Sequence, residues 1–139
     1  MTFQAAHTRL TTASAEAVWK RWTTAADWSP DDPGTEWATF DGPVAVGTPG
    51  RVKSAGSPAQ RFEFTRVEHL AVMDLTISLP GGRLGILHTM QQTPQGLSVT
   101  HGVLITGPLS GLYAAIVGRP LARELPEVVR LVTLHALEE

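Results

Sequence analysis

Between Gln60 and Thr106 the hydrophobic and polar positions alternate with a period of two, the signature of half-buried β-strands. Three turn signals divide the stretch into four strands: His69-Leu70, Pro80-Gly81-Gly82 and Thr93-Pro94-Gln95-Gly96. If each turn closes a tight hairpin, cross-strand partners share a constant index sum and face the same side. The first hairpin then pairs Phe62 with Ile77 and Phe64 with Leu75. The second pairs Ile77 with Ile86, Leu75 with His88 and Met73 with Met90. The third pairs Ile86 with Val103, His88 with His101 and Met90 with Val99. One face is apolar across all four strands; the other carries Arg61, Glu63, Thr65, Asp74, Thr76, Ser78, Arg83, Thr89, Gln91, Ser98 and Thr100. A slip of one residue in any hairpin would mix the faces. Two histidines, His88 and His101, lie opposite each other on the apolar face, as a polar pair in a pocket lining would.

Elsewhere the pattern changes period. Phe3 to Thr12 reads as a strand ending near Leu10. Ser14 is a natural N-cap for a helix beginning at Glu16-Ala17, with Val18, Trp19 and Trp22 on neighbouring faces. Asp27-Trp28-Ser29-Pro30 is a second short helix or turn, and Asp31-Asp32-Pro33-Gly34 breaks it. Trp37 to Asp41 and Gly50 to Ser54 are short strands, joined by a Gly- and Pro-rich link. Leu109 to about Leu137 closes the chain as a long helix. Its stripes, Leu112 and Ile116, then Leu121, Leu125, Val128 and Val132, join imperfectly at Gly118-Arg119-Pro120. Pro120 and Pro126 predict a kinked helix, or two segments in line. The expected architecture is α+β: a curved antiparallel sheet of about seven strands wrapped around a long C-terminal helix, with two short helices after the first strand. No linker suggests a second domain, so residues 1–139 are read as one.

Composition narrows the function. Net charge is −2 and the basic residues are scattered, so no nucleic-acid-binding patch is expected. No run approaches the roughly 18 apolar residues of a membrane span, and the polar start after Met1 predicts no signal peptide. These features predict a cytoplasmic protein, monomer or homodimer. The absence of cysteine excludes disulfides, thiolate metal sites and a cysteine nucleophile.

The element order, together with Ala13-Ser14-Ala15-Glu16-Ala17-Val18-Trp19, Asp27-Trp28-Ser29-Pro30, Gly42-Pro43, Gly47-Thr48, Phe64-Thr65-Arg66-Val67-Glu68 and the helix carrying Arg119, Arg123, Leu125-Pro126 and Arg130-Leu131, resembles the START-like, Bet v 1-like superfamily (SRPBCC), grouped with polyketide cyclases and lipid-transfer proteins. The resemblance implies a helix-grip fold and a cavity for a small hydrophobic molecule, and it implies no reaction.

In that frame, Phe62, Phe64, Leu75, Ile77, Ile86, Met90, Val99 and Val103 line the cavity from the sheet. Leu112 and Ile116 cover it from the helix, and Trp37 lies toward one end. His88 and His101 supply the polar specificity of a mostly apolar pocket. As enzyme residues they would act as general acid and base in a cyclase or dehydratase; otherwise they are satisfied core histidines. Burial would hold them neutral. A metal would need a third ligand, and no close-spaced His-x-Glu or His-x-x-x-His accompanies the pair; Glu36 and Asp41 are unplaced candidates, and neither a metal nor a cofactor is expected. Arg66 falls on the apolar face beside Met73, near enough to the turn to reach solvent. Trp28 and Trp37 flank the Pro30–Gly34 loop as a lid or wall. Asp31-Asp32 is expected to be solvated. The three function classes are ligand carriage or sensing, a cyclase-like enzyme, and a cochaperone-type protein-binding module with a filled core and an exposed apolar patch.

Overall fold

The computed structural model describes residues 2–139. Seven strands form one antiparallel sheet in the order β1-β7-β6-β5-β4-β3-β2: β1 Phe3–Thr11, β2 Thr35–Phe40, β3 Pro49–Ser54, β4 Gln60–Glu68, β5 Val72–Leu79, β6 Gly82–Thr93 and β7 Gly96–Thr106. Between β1 and β2 lie α1 (Ala15–Thr23), a 3-10 turn (Ala25–Asp27) and α2 (Trp28–Asp31). Ser14 caps α1 by accepting a hydrogen bond from Ala17 N at 3.1 Å. The sheet is curled. Its β1–β7 side is gripped by the C-terminal helix, and its β2 side meets α2.

Two hairpins depart from tight closure. The β4–β5 loop has three residues, with Leu70 in the left-handed region (φ 61°), and Glu68 pairs with Val72. A bulge at Thr65 then absorbs the extra residue, so Phe64 still pairs with Leu75. The same bulge turns Arg66 outward, against the expectation that it shares the apolar face with Met73. Arg66 pairs with Asp74 in the ladder and its side chain bonds Glu68 in solvent, while Val67 lies opposite Met73.

The β5–β6 turn is Pro80-Gly81, with Gly82 already in the ladder. Ile77 therefore pairs with Leu84, and Leu75 with Ile86, instead of Ile86 and His88. The shift is two residues, an even number, so each side chain keeps its face. The β6–β7 hairpin follows the sequence reading: Ile86 pairs with Val103, His88 with His101 and Met90 with Val99.

The C-terminal helix runs from α3 (Ser110–Tyr113) through a π-helical turn (Ala114–Gly118) into α4 (Arg119–Ala136). The π turn lies where the two apolar stripes fail to join, and its wider winding changes the phase between them. As a result Val117 and Leu121 pack on the core, and Leu125, Val129, Val132 and Ala136 are buried. Gly118 lets the backbone close on β1 and β7: a Cβ there would lie 2.7 Å from the Phe3 ring and 2.9 Å from Ile105.

One ion-pair cluster ties the helices together. Arg21 of α1 holds Asp31 of α2 through Nε (3.0 Å) and Nη2 (2.7 Å), and His135 near the end of α4 donates Nδ1–H to the same carboxylate at 2.6 Å. Glu139 accepts from Lys20 and Arg21. Asp31 is 4% exposed, so the expectation of a solvated Asp31-Asp32 pair is corrected. Asp32 is also sheltered, accepting from Gly34 N and the Thr35 hydroxyl.

Candidate functional site

The β6–β7 ladder sets His88 beside His101, with ring centroids 4.6 Å apart at 74°. Both are nearly buried, at 9% and 5% exposure. Each ring has one fixed partner. His88 Nδ1 bonds the Met73 carbonyl at 2.6 Å, and Trp22 Nε1–H donates to His101 Nε2 at 3.0 Å. Trp22 comes from α1, 2% exposed, and its ring lies 5.4 Å from His88 and 5.7 Å from His101. The backbone N–H of His88 is taken by the Asp74 carboxylate at 3.0 Å, in a stretch where the β5–β6 ladder lapses between Val72–Thr89 and Leu75–Ile86.

Those partners assign the protons. A carbonyl only accepts, so His88 carries its hydrogen on Nδ1. An indole N–H only donates, so His101 presents its lone pair at Nε2 and carries its hydrogen on Nδ1. Desolvation lowers the His88 pKa to about 4 against the Met73 bond that raises it, and pushes His101 well below its ordinary value, with the nearby His88 adding to the effect. Both rings are neutral at pH 7. They are not equivalent, because His88 can accept a proton at Nε2 and keep its bond to Met73. His101 can accept one there only by losing Trp22.

The remaining nitrogens, His88 Nε2 and His101 Nδ1, have no hydrogen-bond partner among the described residues. Among the described residues no fully enclosed side-chain nitrogen or oxygen lacks one, so these two retain some accessible surface. The desolvation of Asp74 raises its carboxyl pKa.

The structure places the remaining expected site residues unevenly. Phe62, Phe64, Leu75, Ile77, Met90, Val99 and Val103 are buried on the inner face, between 0% and 6% exposed, and Ile86 is half-buried there. Leu112 and Ile116 do not cover that face. The π turn leaves them in solvent, 53% and 61% exposed, with Leu109 nearby in sequence at 44%. Trp37 is 42% exposed on the edge strand β2, beside a register break at Thr35–Trp37, and so stands outside the interior. Trp28 does reach inside. It stacks on Phe62 at 5.5 Å and meets Phe40, and Phe40, Phe62 and Phe64 pack edge to face. Trp28 and this aromatic cluster thus fill the part of the grip nearest β2.

Sequence reasoning missed Trp22 as the residue over the histidines; the only signal was an indole N–H on the inner face of α1 that needed an acceptor. It also missed His7, which pairs with His101 across β1–β7 and puts three histidines in one row of the sheet. Among the described residues no three His, Asp or Glu side chains are grouped as a metal would need. Glu36 pairs with Lys53 on the edge, away from the histidines. Surface concavities among the described residues include two away from the histidines. One of about 400 Å³ lies between the end of β1 and α4, lined by Arg9, Leu10, Gln95, Arg130, Leu134 and Leu137 among others. The other, about 290 Å³, lies where β4 and β5 separate beyond Glu63–Thr76. Neither is lined by His88 or His101. Among the described residues no helix is long and apolar enough to cross a membrane.

No family model matches the sequence, and no curated protein matches it. Solved structures do. Norcoclaurine synthase from Thalictrum flavum, in complex with dopamine and hydroxybenzaldehyde, aligns with a TM-score of 0.72 at 15% identity, over 100% of this chain and 88% of its own. The di-domain ARO/CYC StfQ from the steffimycin biosynthetic pathway gives 0.79 at 13% identity, over 99% of this chain and 51% of that one. Ara h 8.0201 gives 0.76 at 10% identity over the whole of both chains. With seven curled antiparallel strands around a 27-residue C-terminal helix and short helices after the first strand, the chain has the helix-grip fold that these structures share.

Proposed function

We propose that the chain binds a small, mostly apolar molecule on the inner face of the sheet, with His88 and His101 as its polar anchors. The observation that supports this is the pair of uncommitted ring nitrogens on a face that is otherwise apolar, the composition of a small-molecule site. The inner face is closely packed by Phe62, Phe64, Met90, Val99 and Val103, which favours a small ligand over a long acyl chain, and Trp22 is the side chain packed against the pair. Two similarly folded structures carry names that fit such a role, one of them holding dopamine and hydroxybenzaldehyde. As a catalyst the site would use His88 Nε2 as the base.

Native mass spectrometry of the purified protein, before and after incubation with a panel of small aromatic compounds, tests the proposal. Mass in excess of the polypeptide, lost on denaturation and absent from a His88→Leu, His101→Leu double variant, is the expected result. No excess mass with any compound would sink it.

A protein-docking reading has one observation in its favour: Leu109, Leu112 and Ile116 are exposed over a core that is largely filled. It predicts that Leu112→Ser, Ile116→Ser leaves small-molecule binding intact and abolishes capture of a partner protein.

A further inference from the structure

Resting on the reading that a small molecule binds at the histidine pair, we infer that the pair selects a neutral hydroxyl, a phenol or an enol, over a carboxylate or a bare hydrocarbon. The carbonyl of Met73 fixes the proton of His88 on Nδ1 and leaves a lone pair on Nε2. The indole N–H of Trp22 fixes the lone pair of His101 on Nε2 and leaves a proton on Nδ1. The two rings, 4.6 Å apart between centroids, therefore offer one acceptor and one donor.

A hydroxyl carries both complements, a hydrogen for His88 Nε2 and a lone pair for His101 Nδ1–H. A carboxylate finds a single donor, faces the lone pair of His88, and meets no cation among the groups bonded to the two residues, which are Met73, Trp22 and the Asp74 carboxylate. Burying its charge there is unfavourable. A hydrocarbon leaves a donor and an acceptor unpaired in an apolar site.

The test uses the wild-type protein and three probes of one shape: 4-ethylphenol, 4-ethylbenzoate and ethylbenzene. Long-range ¹H–¹⁵N spectra at neutral pH first report which ring nitrogens carry hydrogen. Both rings are expected as Nδ1–H tautomers, and an Nε2–H tautomer of either ring would overturn the inference. Titration should then show 4-ethylphenol binding at least roughly tenfold more tightly than the other two, a gap of about 1.4 kcal/mol, with the His88 Nε2 resonance moving most. Equal or tighter binding of 4-ethylbenzoate or ethylbenzene overturns the hydroxyl assignment and leaves the binding reading standing. No shift of inner-face resonances with any probe overturns the binding reading itself. His88→Leu should bind 4-ethylphenol and ethylbenzene alike; if that variant fails to fold, the wild-type series still decides.

Discussion

At the residue scale, the histidine pair was legible because a count of turn residues sufficed to place it: the β6–β7 hairpin has no irregularity between Thr93–Gly96 and Arg83–Thr106. What holds the rings was not legible. Trp22 lies 79 positions from His101, and the Met73 carbonyl becomes available only where the β5–β6 ladder lapses. The buried pair makes stability depend on pH. Each histidine is neutral when folded and titrates near 6.5 when unfolded, so below 6.5 the unfolded chain binds the extra proton. Stability is therefore full above pH 6.5 and falls as pH drops toward about 4, the folded value for His88. At about 1.4 kcal/mol per unit, His88 alone contributes about 3 kcal/mol across that window. Asp32, Asp74 and Glu124, whose carboxyl pKa values are raised by burial, act in the opposite direction at its acid end. Urea melts at a series of pH values should show the slope, and His88→Gln should flatten it; an unchanged slope would show that His88 is not desolvated. Trp22→Phe removes the indole donor to His101 Nε2 and should cost about 1–3 kcal/mol, read as a lower urea midpoint.

At the element scale, strands, faces and the Ser14 cap follow from alternation and capping chemistry, whereas the register follows only from turn geometry. A three-residue loop and a one-residue bulge cancel in β4–β5, and no residue type near Thr65 announces either. The direction of Leu112 and Ile116 was lost for a similar reason. Their spacing fits a regular helix, and a π turn in the last of those positions changes what faces the core. Close approach at glycine is equally silent in a sequence. At Gly50 a Cβ would lie 2.5 Å from the Thr39 carbonyl oxygen and would collide with the Phe62 ring paired opposite it. Backbone in a ladder cannot yield as a side chain can. Gly50→Ala should therefore cost about 3 kcal/mol, the upper end for overpacking. Gly118→Ala, whose nearest neighbours are side-chain atoms of Phe3 and Ile105, should cost nearer 1 kcal/mol. Denaturant midpoints that rank the two variants the other way would show that β2 and β3 separate more easily than the helix does.

At the scale of the whole molecule, the grip requires α4, α1 and α2 to stay together, and apolar packing is supplemented there by one shared carboxylate. Asp31 accepts from Arg21 twice and from His135 once, with its side chain 6% and that of Arg21 11% exposed. In sequence it reads as half of a loop Asp-Asp pair, because its partners lie 10 residues before it and 104 after it. A carboxylate this sheltered is expensive to remove, since the charge left on Arg21 keeps its desolvation and loses its partner. Asp31→Ala should cost about 3 kcal/mol, the low end for breaking a buried pair because Arg21 retains contacts with Asp27 and Glu139. The loss should be uneven in space. Hydrogen exchange should speed in the last turn of α4, around Thr133 to Leu137, and in α1, while the β6–β7 hairpin keeps its protection until global unfolding. Because Trp22 sits on α1, the same variant should also broaden the His101 ring signals. Protection lost equally at every amide would mean that the carboxylate stabilises the fold as a whole and does not clamp its helices.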